Sequence, residues 1–167
     1  TDALVSNIIT IISNDSNEAR DFVVLASSTK LLRNIDTLYR QRTNEQTEIT
    51  FISTEALEKL KQIHNVSDER AANWKFNRDF EALDRTRKQL FTTEKRCLKI
   101  STIQSFKGWE SPSVIVILES DFALHNTTFR PMSPQTIYTA ITRARENMYI
   151  INIGNDTYHN FFYNQAL

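Results

Sequence analysis

The sequence predicts an α/β domain: a mostly parallel sheet of about five strands with helices on both faces. Short apolar runs alternate along the chain with longer segments whose apolar residues recur at helical spacing. The short runs are continuously apolar rather than alternating, which is typical of strands covered on both faces. A chain of 167 residues with 40% apolar residues suits a single domain, residues 1–167, with a complete core.

The first half of the chain predicts helices and strands in alternation. Ser27, Ser28 and Thr29 offer N-caps for the helix after the first strand, because their side chains can accept hydrogen bonds from free backbone N–H groups. In order, the predicted elements are a helix over 4–12, a strand over 22–26, a helix over 31–39, a strand over 48–52 and a helix over 53–63.

The second half begins with a charged helical segment over 66–91, whose charges we interpret as a solvated surface. Pro134, directly after Ser133, marks the first turn of a helix that we expect to carry Arg143. The predicted apolar face of the charged segment consists of Trp74, Phe76, Phe80, Leu83 and Leu90. The remaining predicted elements are strands over 98–102, 114–119 and 148–153 and a terminal helix over 155–163.

Charge, cysteine content and histidine spacing restrict which partners and sites can be expected. Lys plus Arg and Asp plus Glu number 20 each, so no overall basic field attracts nucleic acid and any such contact must be local. Cys97 is the only cysteine, which excludes an internal disulfide and suits a reducing, cytoplasmic location. No apolar run reaches membrane length, so no membrane partner is expected. His64, His125 and His159 have no ligand spacing, so no metal site is expected.

The chain has only two glycines, Gly108 and Gly154. A loop that wraps phosphates needs several glycines, because the backbone must approach the anion closely. Neither G-x-x-x-x-G-K-[ST] nor G-x-G-x-x-G occurs. We therefore expect that this chain alone does not bind a nucleoside triphosphate tightly.

The first segment whose side chains could bind a ligand is Lys107-Gly108-Trp109-Glu110. Gly108 permits a tight turn after the strand that ends at Thr102, and the turn holds Glu110 at an edge of the sheet. A carboxylate there can accept hydrogen bonds from a ribose hydroxyl, at the edge where α/β proteins bind ligands. The alternative is a surface turn with an incidental acid.

A second segment is Thr142-Arg143-Ala144-Arg145, predicted on a helix and at the same sheet edge as Glu110. Residues two apart on a helix point about 160° away from one another, so the two arginines cannot serve one phosphate. The planar guanidinium of Arg143 suits the charge that develops on a transferred phosphoryl group. Arg145 better suits a structural ion pair or a backbone contact. The alternative is an arginine-rich solvated face.

Together, the two segments and the strands around them resemble the second RecA-like domain of superfamily 1 helicases of the UvrD/Rep type. Residues 102–110 are similar to motif V, T-x-H-x-x-K-G-x-E, and residues 138–145 are similar to motif VI with its Thr-Arg-Ala core. Residues 21–39 are similar to a strand and helix of the same family. The resemblance covers most of the chain, is strong over 99–153 and is weak over 54–96.

The resemblance implies a half-site for ATP. Arg143 corresponds to the arginine that reaches the γ-phosphate across the cleft between two RecA-like domains. Glu110 corresponds to the acid that holds the ribose, and Gly108 to the turn of motif V. The implied cofactors are ATP and Mg²⁺, whose phosphate loop and Mg²⁺ ligands belong to an N-terminal RecA-like domain of the parent chain. Because Thr1 stands in place of Met, we expect a fragment, inactive as an ATPase in isolation.

The resemblance also implies a track for single-stranded DNA. Thr102 and Gln104 lie where the family contacts the phosphates of the strand, with Ser105 as a further donor. Gln104 replaces the usual histidine, and its amide can bind a phosphate but cannot titrate. Trp109 replaces a leucine; it either packs or stacks on a base, whereas Phe106 is expected to pack under the turn.

Two further departures concern whole segments. The Asn-Tyr-Arg-Ser type motif that opens the domain in the family is absent. Residues 54–96 are too few for the family's large insert and are interpreted as a helical replacement. The favoured function is the C-terminal motor domain of an ATP-dependent DNA helicase. The alternative is a non-catalytic RecA-like interaction domain, which would need neither Glu110 nor Arg143.

Overall fold

The computed structural model describes residues 1–67, 73–120 and 132–165. In chain order its helices and strands are α1 Asp2–Asn14, β1 Phe22–Ala26, α2 Thr29–Thr43, β2 Thr47–Ile49, α3 Thr54–His64, α4 Trp74–Leu90, β3 Leu98–Thr102, β4 Ser111–Glu119, α5 Pro134–Ile141, β5 Ala144–Ile153 and α6 Asp156–Gln165. A short 3₁₀ turn, Ala19–Asp21, precedes β1.

The five strands form one sheet in the order β2-β3-β1-β4-β5, and every pair in it is parallel. β1 lies at the centre, between β3 and β4. The carboxyl ends of all strands therefore meet at one edge of the sheet, here called the carboxyl edge, and their starts meet at the opposite, amino edge. The predicted α/β sheet of about five strands is confirmed.

The central strand β1 shows how the two faces are covered. All five of its residues are fully buried, as a parallel strand between two helical layers requires. Phe22, Val24 and Ala26 join the core cluster that contains α1 and α2. Val23 and Leu25 join the cluster that contains α5, with α6 packed against it. Helices therefore cover both faces, and the predicted three-layer architecture is confirmed.

Serine side chains start three of the helices. Ser28 accepts a hydrogen bond from the backbone N–H of the third residue of its helix at 3.2 Å, and Ser53 and Ser133 do the same at 3.3 and 3.2 Å. Each bond satisfies an N–H group that has no partner within the helix. These starts agree with the sequence prediction, which placed Ser28, Ser53 and Ser133 at the start of a helix.

The predicted bounds of three strands were wrong. β2 is Thr47–Ile49 rather than 48–52, β4 begins at Ser111 rather than at 114, and β5 begins at Ala144 rather than at 148. The added residues of β4 and β5 are mostly polar, so their sequence carries no apolar run. β5 is an edge strand, and an edge strand does not need apolar residues on both faces.

Helices α3 and α4 form a small pair of their own after the edge strand β2. Their contact is a separate apolar cluster built on Ile52, Leu57, Leu60 and Phe76, with Phe80 half-buried against it. His64 near the end of α3 lies 3.1 Å from the carboxylate of Asp79 on α4.

The predicted apolar face of α4 was only partly correct. Phe76 is buried, whereas Trp74, Leu83 and Leu90 are 66%, 42% and 66% exposed. Trp74 lies about 160° around the helix from Phe76, and so it points away from α3. Leu83 and Leu90 are exposed because α4 has 17 residues and α3 only 11, so that the second half of α4 extends beyond its neighbour.

Glu119 ties the end of β4 to the start of α2. Its carboxylate accepts hydrogen bonds from the backbone N–H groups of Ser27 at 2.8 Å and Ser28 at 3.1 Å. Its backbone carbonyl accepts from the amide of Asn155 at 2.9 Å. Burial raises the pKa of Glu119, and the two N–H bonds act in the opposite direction. The protein's own carboxylate thus occupies the N–H groups that precede α2.

Replacing this carboxylate tests its structural role. Glu119→Ala leaves the N–H groups of Ser27 and Ser28 without an acceptor, and we expect the free energy of unfolding in a urea titration to fall by about 2 kcal/mol. Glu94→Ala is the matched control, because Glu94 is exposed and its carboxylate forms no ion pair in the described part of the chain. The control should stay within about 0.5 kcal/mol of wild type. Equal effects of the two substitutions would contradict the role of Glu119.

Candidate functional site

The segment between β3 and β4, residues 103–110 and here called the crossing segment, runs from one edge of the sheet to the other. β3 ends at Thr102, on the carboxyl edge, and β4 begins at Ser111, on the amino edge. The strand register places Thr102 level with Ala26, and hence about six residues beyond Ser111 along β4. At about 3.3 Å per residue, the two ends of the crossing segment are about 20 Å apart along the strands.

A series of backbone hydrogen bonds shapes the crossing segment. The N–H of Phe106 donates to the carbonyl of Thr102 at 3.0 Å, and the N–H of Trp109 donates to the carbonyl of Phe106 at 3.0 Å. Phe106 is fully buried, as predicted. Gly108 has a φ of +94°, and a Cβ built there meets no atom within 4 Å. Glycine is therefore required by the backbone conformation rather than by lack of space.

The three predicted nucleic-acid residues lie together at the carboxyl edge, but their side chains differ in whether they are hydrogen-bonded. The hydroxyl of Thr102 donates to the hydroxyl of Ser105 at 2.8 Å and accepts from the N–H of Ser105 at 3.1 Å. Thr102 thus braces the start of the crossing segment. Gln104 is exposed, and its side-chain amide makes no hydrogen bond within the described residues. Within this part of the chain, the amide of Gln104 is therefore available to bind a ligand.

At the amino edge, Arg143 lies outside the helix that was predicted to carry it. α5 ends at Ile141, Thr142 caps it, and β5 begins at Ala144. The carbonyl of Arg143 already accepts a hydrogen bond from the N–H of Ser111 at 3.0 Å, which draws this residue into the pairing of β4 and β5. The prediction that both arginines lie on this helix was wrong, so the 160° separation inferred from helical geometry does not apply.

Three hydrogen bonds hold the guanidinium of Arg143. Its Nε donates to the carbonyl of Thr139 at 3.1 Å, Nη1 to the carbonyl of Trp109 at 3.3 Å, and Nη2 to the hydroxyl of Thr142 at 3.1 Å. The Thr142 hydroxyl itself donates to the carbonyl of Tyr138 at 2.9 Å, so a lone pair remains for the arginine. A guanidinium has five N–H donors. Two donors therefore remain free of these bonds, one on each terminal nitrogen.

Glu110 and Arg143 lie at the same edge of the sheet, as predicted. Glu110 is exposed, makes no ion pair within the described residues, and directly precedes Ser111, whose N–H binds Arg143. The edge is nevertheless the amino edge and not the carboxyl edge at which open α/β sheets bind ligands. The prediction of the ligand edge was wrong because the crossing segment carries the chain back across the sheet before Glu110.

Trp109 belongs to the amino edge as well. Its ring meets Phe91 edge-on, with centroids 5.8 Å apart, and Phe91 in turn meets Phe106 at 6.1 Å. The indole remains 39% exposed. Of the two interpretations left open by the sequence, the structure shows packing of the ring. Trp109 lies beside Glu110 and not beside Gln104.

Sequence reasoning missed the groups that orient Arg143. Two of the three acceptors are backbone carbonyls, which have no sequence signal. The third, Thr142, directly precedes the arginine, and a hydroxyl beside a candidate catalytic arginine was a signal that could have been used.

A cavity of about 760 Å³ opens at the amino edge, but its lining, which includes Arg20, Arg96 and Cys97, contains neither Glu110 nor Arg143. Among the described residues, no three His, Cys, Asp or Glu side chains come together as metal ligands. Within the same part of the chain, no helix combines the length and apolar character that a membrane span requires.

Comparison with known proteins identifies the family. Residues 12–152 match the family model of the viral superfamily 1 RNA helicase core domain. The fold is similar to the crystal structure of the C-terminal domain of a possible DNA helicase from Lactobacillus plantarum WCFS1, with a TM-score of 0.50 and 15% identity over 90% of this chain and 67% of that one. No curated protein matches the sequence. Because the family model covers most of the chain, this chain, with its RecA-like α/β fold, belongs to the viral superfamily 1 RNA helicase core family.

Proposed function

We propose that this chain is the second, C-terminal motor domain of an ATP-dependent DNA helicase. In this proposal it supplies Glu110 and Arg143 to an ATP site that an N-terminal RecA-like domain of the parent protein completes. Membership of a superfamily 1 helicase core family supports the class of activity. The observation that carries the site is the guanidinium of Arg143, which three acceptors orient while two donors stay free.

The surroundings of Arg143 and Glu110 support a half-site. Both lie on the open amino edge, and the sequence contains no glycine-rich loop that could wrap a triphosphate. A second domain closing on this edge supplies the phosphate loop and the ligands of Mg²⁺. The isolated chain is therefore expected to show no ATPase activity.

The chemistry assigned to this chain is positioning and charge stabilisation. A guanidinium already fixed in place loses little freedom when the γ-phosphoryl group is transferred to water, and its two free donors match two phosphoryl oxygens. Glu110, exposed and unpaired within the described residues, is suited to accept hydrogen bonds from the ribose hydroxyls. When bound, ATP with Mg²⁺ would supply the reacting phosphate. In this proposal the other domain, and not this chain, provides the protein ligands of Mg²⁺.

Single-stranded DNA is proposed to contact the carboxyl edge through Gln104, with Ser105 as a further donor. The nucleotide and the strand then lie at opposite ends of the crossing segment, about 20 Å apart. The UvrD/Rep-type relationship, the choice of DNA over RNA, and the role of α3 and α4 as a replacement for the family's insert are parts of this proposal.

A non-catalytic interaction domain is the second candidate. One observation favours it: two of the three hydrogen bonds of Arg143, to the carbonyls of Thr139 and Trp109, cap the end of α5 and fix the crossing segment, which is a sufficient structural role. Glu110 has no comparable structural contact within the described residues. The two candidates differ in what substitution of Arg143 does to catalysis.

In the full-length parent, Arg143→Ala should lower ATP turnover by about 10³-fold or more, because arginine fingers act on the transition state. ATP binding should weaken far less. Arg143→Lys should not restore turnover, since an ammonium cannot reproduce the planar fork. Arg145→Ala is the control, and steady-state ATPase with equilibrium nucleotide binding is the measurement. A fall of less than about tenfold for Arg143→Ala, with loss of activity for Arg145→Ala, would assign the role to the other arginine.

The hydroxyl of Thr142 provides a finer test. Thr142→Val has the same shape but cannot accept the hydrogen bond from Arg143, and a loosened catalytic group can cost up to about a hundredfold in rate. We expect kcat of the parent protein to fall with little change in KM, and Thr142→Ser to retain most of the activity. If valine and serine behave alike, the hydroxyl does not position Arg143.

The DNA track is tested at Gln104. In the parent protein, Gln104→Ala should weaken binding of single strands regardless of their sequence and should lower DNA-stimulated ATPase more than basal ATPase. The salt dependence of binding should barely change, because a neutral contact releases no counterion. Gln62→Ala, an exposed glutamine on α3, is the control.

Titration of labelled DNA and RNA oligonucleotides at several salt concentrations, with a melting curve for each variant, measures these effects. If Gln104 only braces the crossing segment, the variant instead loses thermal stability and basal ATPase together, and the folded protein binds single strands as wild type does.

A further inference from the structure

The outward face of α4 carries an exposed aromatic ring that the core does not use. Trp74, in the first turn, is 66% exposed, while Phe76 two residues later is fully buried against α3. The first N–H groups of the helix are occupied by the side chain of Asn73, which accepts from Lys75 and Phe76 at 3.1 and 3.2 Å. Among the described residues, Trp74 therefore neither caps the helix nor fills the core.

Two cationic side chains lie close to the ring of Trp74. The ammonium of Lys75 lies 5.7 Å and the guanidinium of Arg78 lies 5.4 Å from the ring centroid of Trp74. At 100° per residue, Trp74, Arg78 and Arg85 fall within a sector of about 40° on the helix surface. Arg85 is exposed and forms no ion pair in the described part of the chain. One acid, Glu81, shares this face.

The charge of α4 departs from that of the whole chain. Its sequence holds five basic and three acidic residues, whereas the chain has a net charge of zero. Two of the acids are already paired: Asp79 lies 2.9 Å from Arg78 and 3.1 Å from His64, and Asp84 lies 2.6 Å from Lys88. An excess of positive charge beside an exposed ring is the combination that binds single-stranded nucleic acids.

We propose that the outward face of α4 is a second binding surface for single-stranded nucleic acid. A base stacks on Trp74, and Arg78 and Arg85 contact the backbone phosphates. Phe91, directly after α4, packs on Phe106 of the crossing segment. Trp74 stands at the other end of α4, and the length of the helix, about 25 Å, separates it from that contact. This surface is separate from the track at Gln104 and does not depend on ATP.

The tryptophan content allows a direct test of stacking. The chain has two tryptophans, so Trp109→Phe leaves Trp74 as the only one. Titration of this 167-residue variant with an oligothymidylate should quench the fluorescence of Trp74 over the concentration range in which anisotropy of the labelled oligonucleotide reports binding. An abasic oligonucleotide of equal length, which has the charge but no bases, should bind more weakly and should not quench.

Substitutions then separate stacking from charge. Trp74→Ala should weaken binding by at least about fivefold and Trp74→Phe should retain most of it, because any aromatic ring offers a face for a base. Arg85→Ala should lower the slope of log affinity against log salt by about one, and the matched control Lys59→Ala, an exposed cation on α3, should leave it unchanged. Each variant's melting curve verifies that it is folded.

The proposal would be overturned by no binding of the oligonucleotide, by no quenching on binding, or by equal affinity of folded Trp74→Ala and wild type. Quenching by a polyanion without bases would point to an acidic protein surface as the partner instead, and would overturn it too. Gln104→Ala distinguishes the two surfaces, because it removes the contact at the track and should leave the quenching of Trp74, and the concentration range in which it occurs, unchanged.

Discussion

The packing of the crossing segment against the sheet decides where the candidate functional side chains lie. Within the segment, the side chain of Phe106 is fully buried, and Gly108 with its positive φ permits the turn that follows. At one end, Thr102 braces the residues around Gln104. At the other end, the carbonyl of Trp109 receives Arg143. A change in this short segment would therefore be felt at both edges of the domain.

This arrangement offers a physical route between the two proposed ligands. Single-stranded DNA bound at Gln104 contacts one end of the crossing segment, and the other end of the same eight residues holds Arg143. Two buried side chains, Ile103 and Phe106, and turn hydrogen bonds fix the path of the segment. Coupling of strand binding to the orientation of Arg143 follows from this geometry as a hypothesis. It does not require a longer chain of contacts through the core.

Much of the fold could be predicted from the sequence, because the apolar runs of β1, β3 and β4 and the serine caps are local signals. The shared edge of Glu110 and Arg143 could be predicted as well. Which edge they share could not, since it depends on strand register and on the path of the crossing segment. The end of α5 before Arg143 was missed because pairing with β4, and not helix propensity, decides it. The exposure of Leu90 depends on the shorter length of α3.

The central claim is that Arg143 acts on the transition state of ATP hydrolysis from the amino edge of this domain. The most direct measurement is the affinity of the full-length parent protein for ADP with aluminium fluoride, which imitates the transferred phosphoryl group, compared with a non-hydrolysable ATP analogue. We expect Arg143→Ala to weaken binding of the transition-state analogue by at least about a hundredfold and to leave binding of the ATP analogue nearly as in wild type. Equal losses for the two ligands, or none for either, would contradict it.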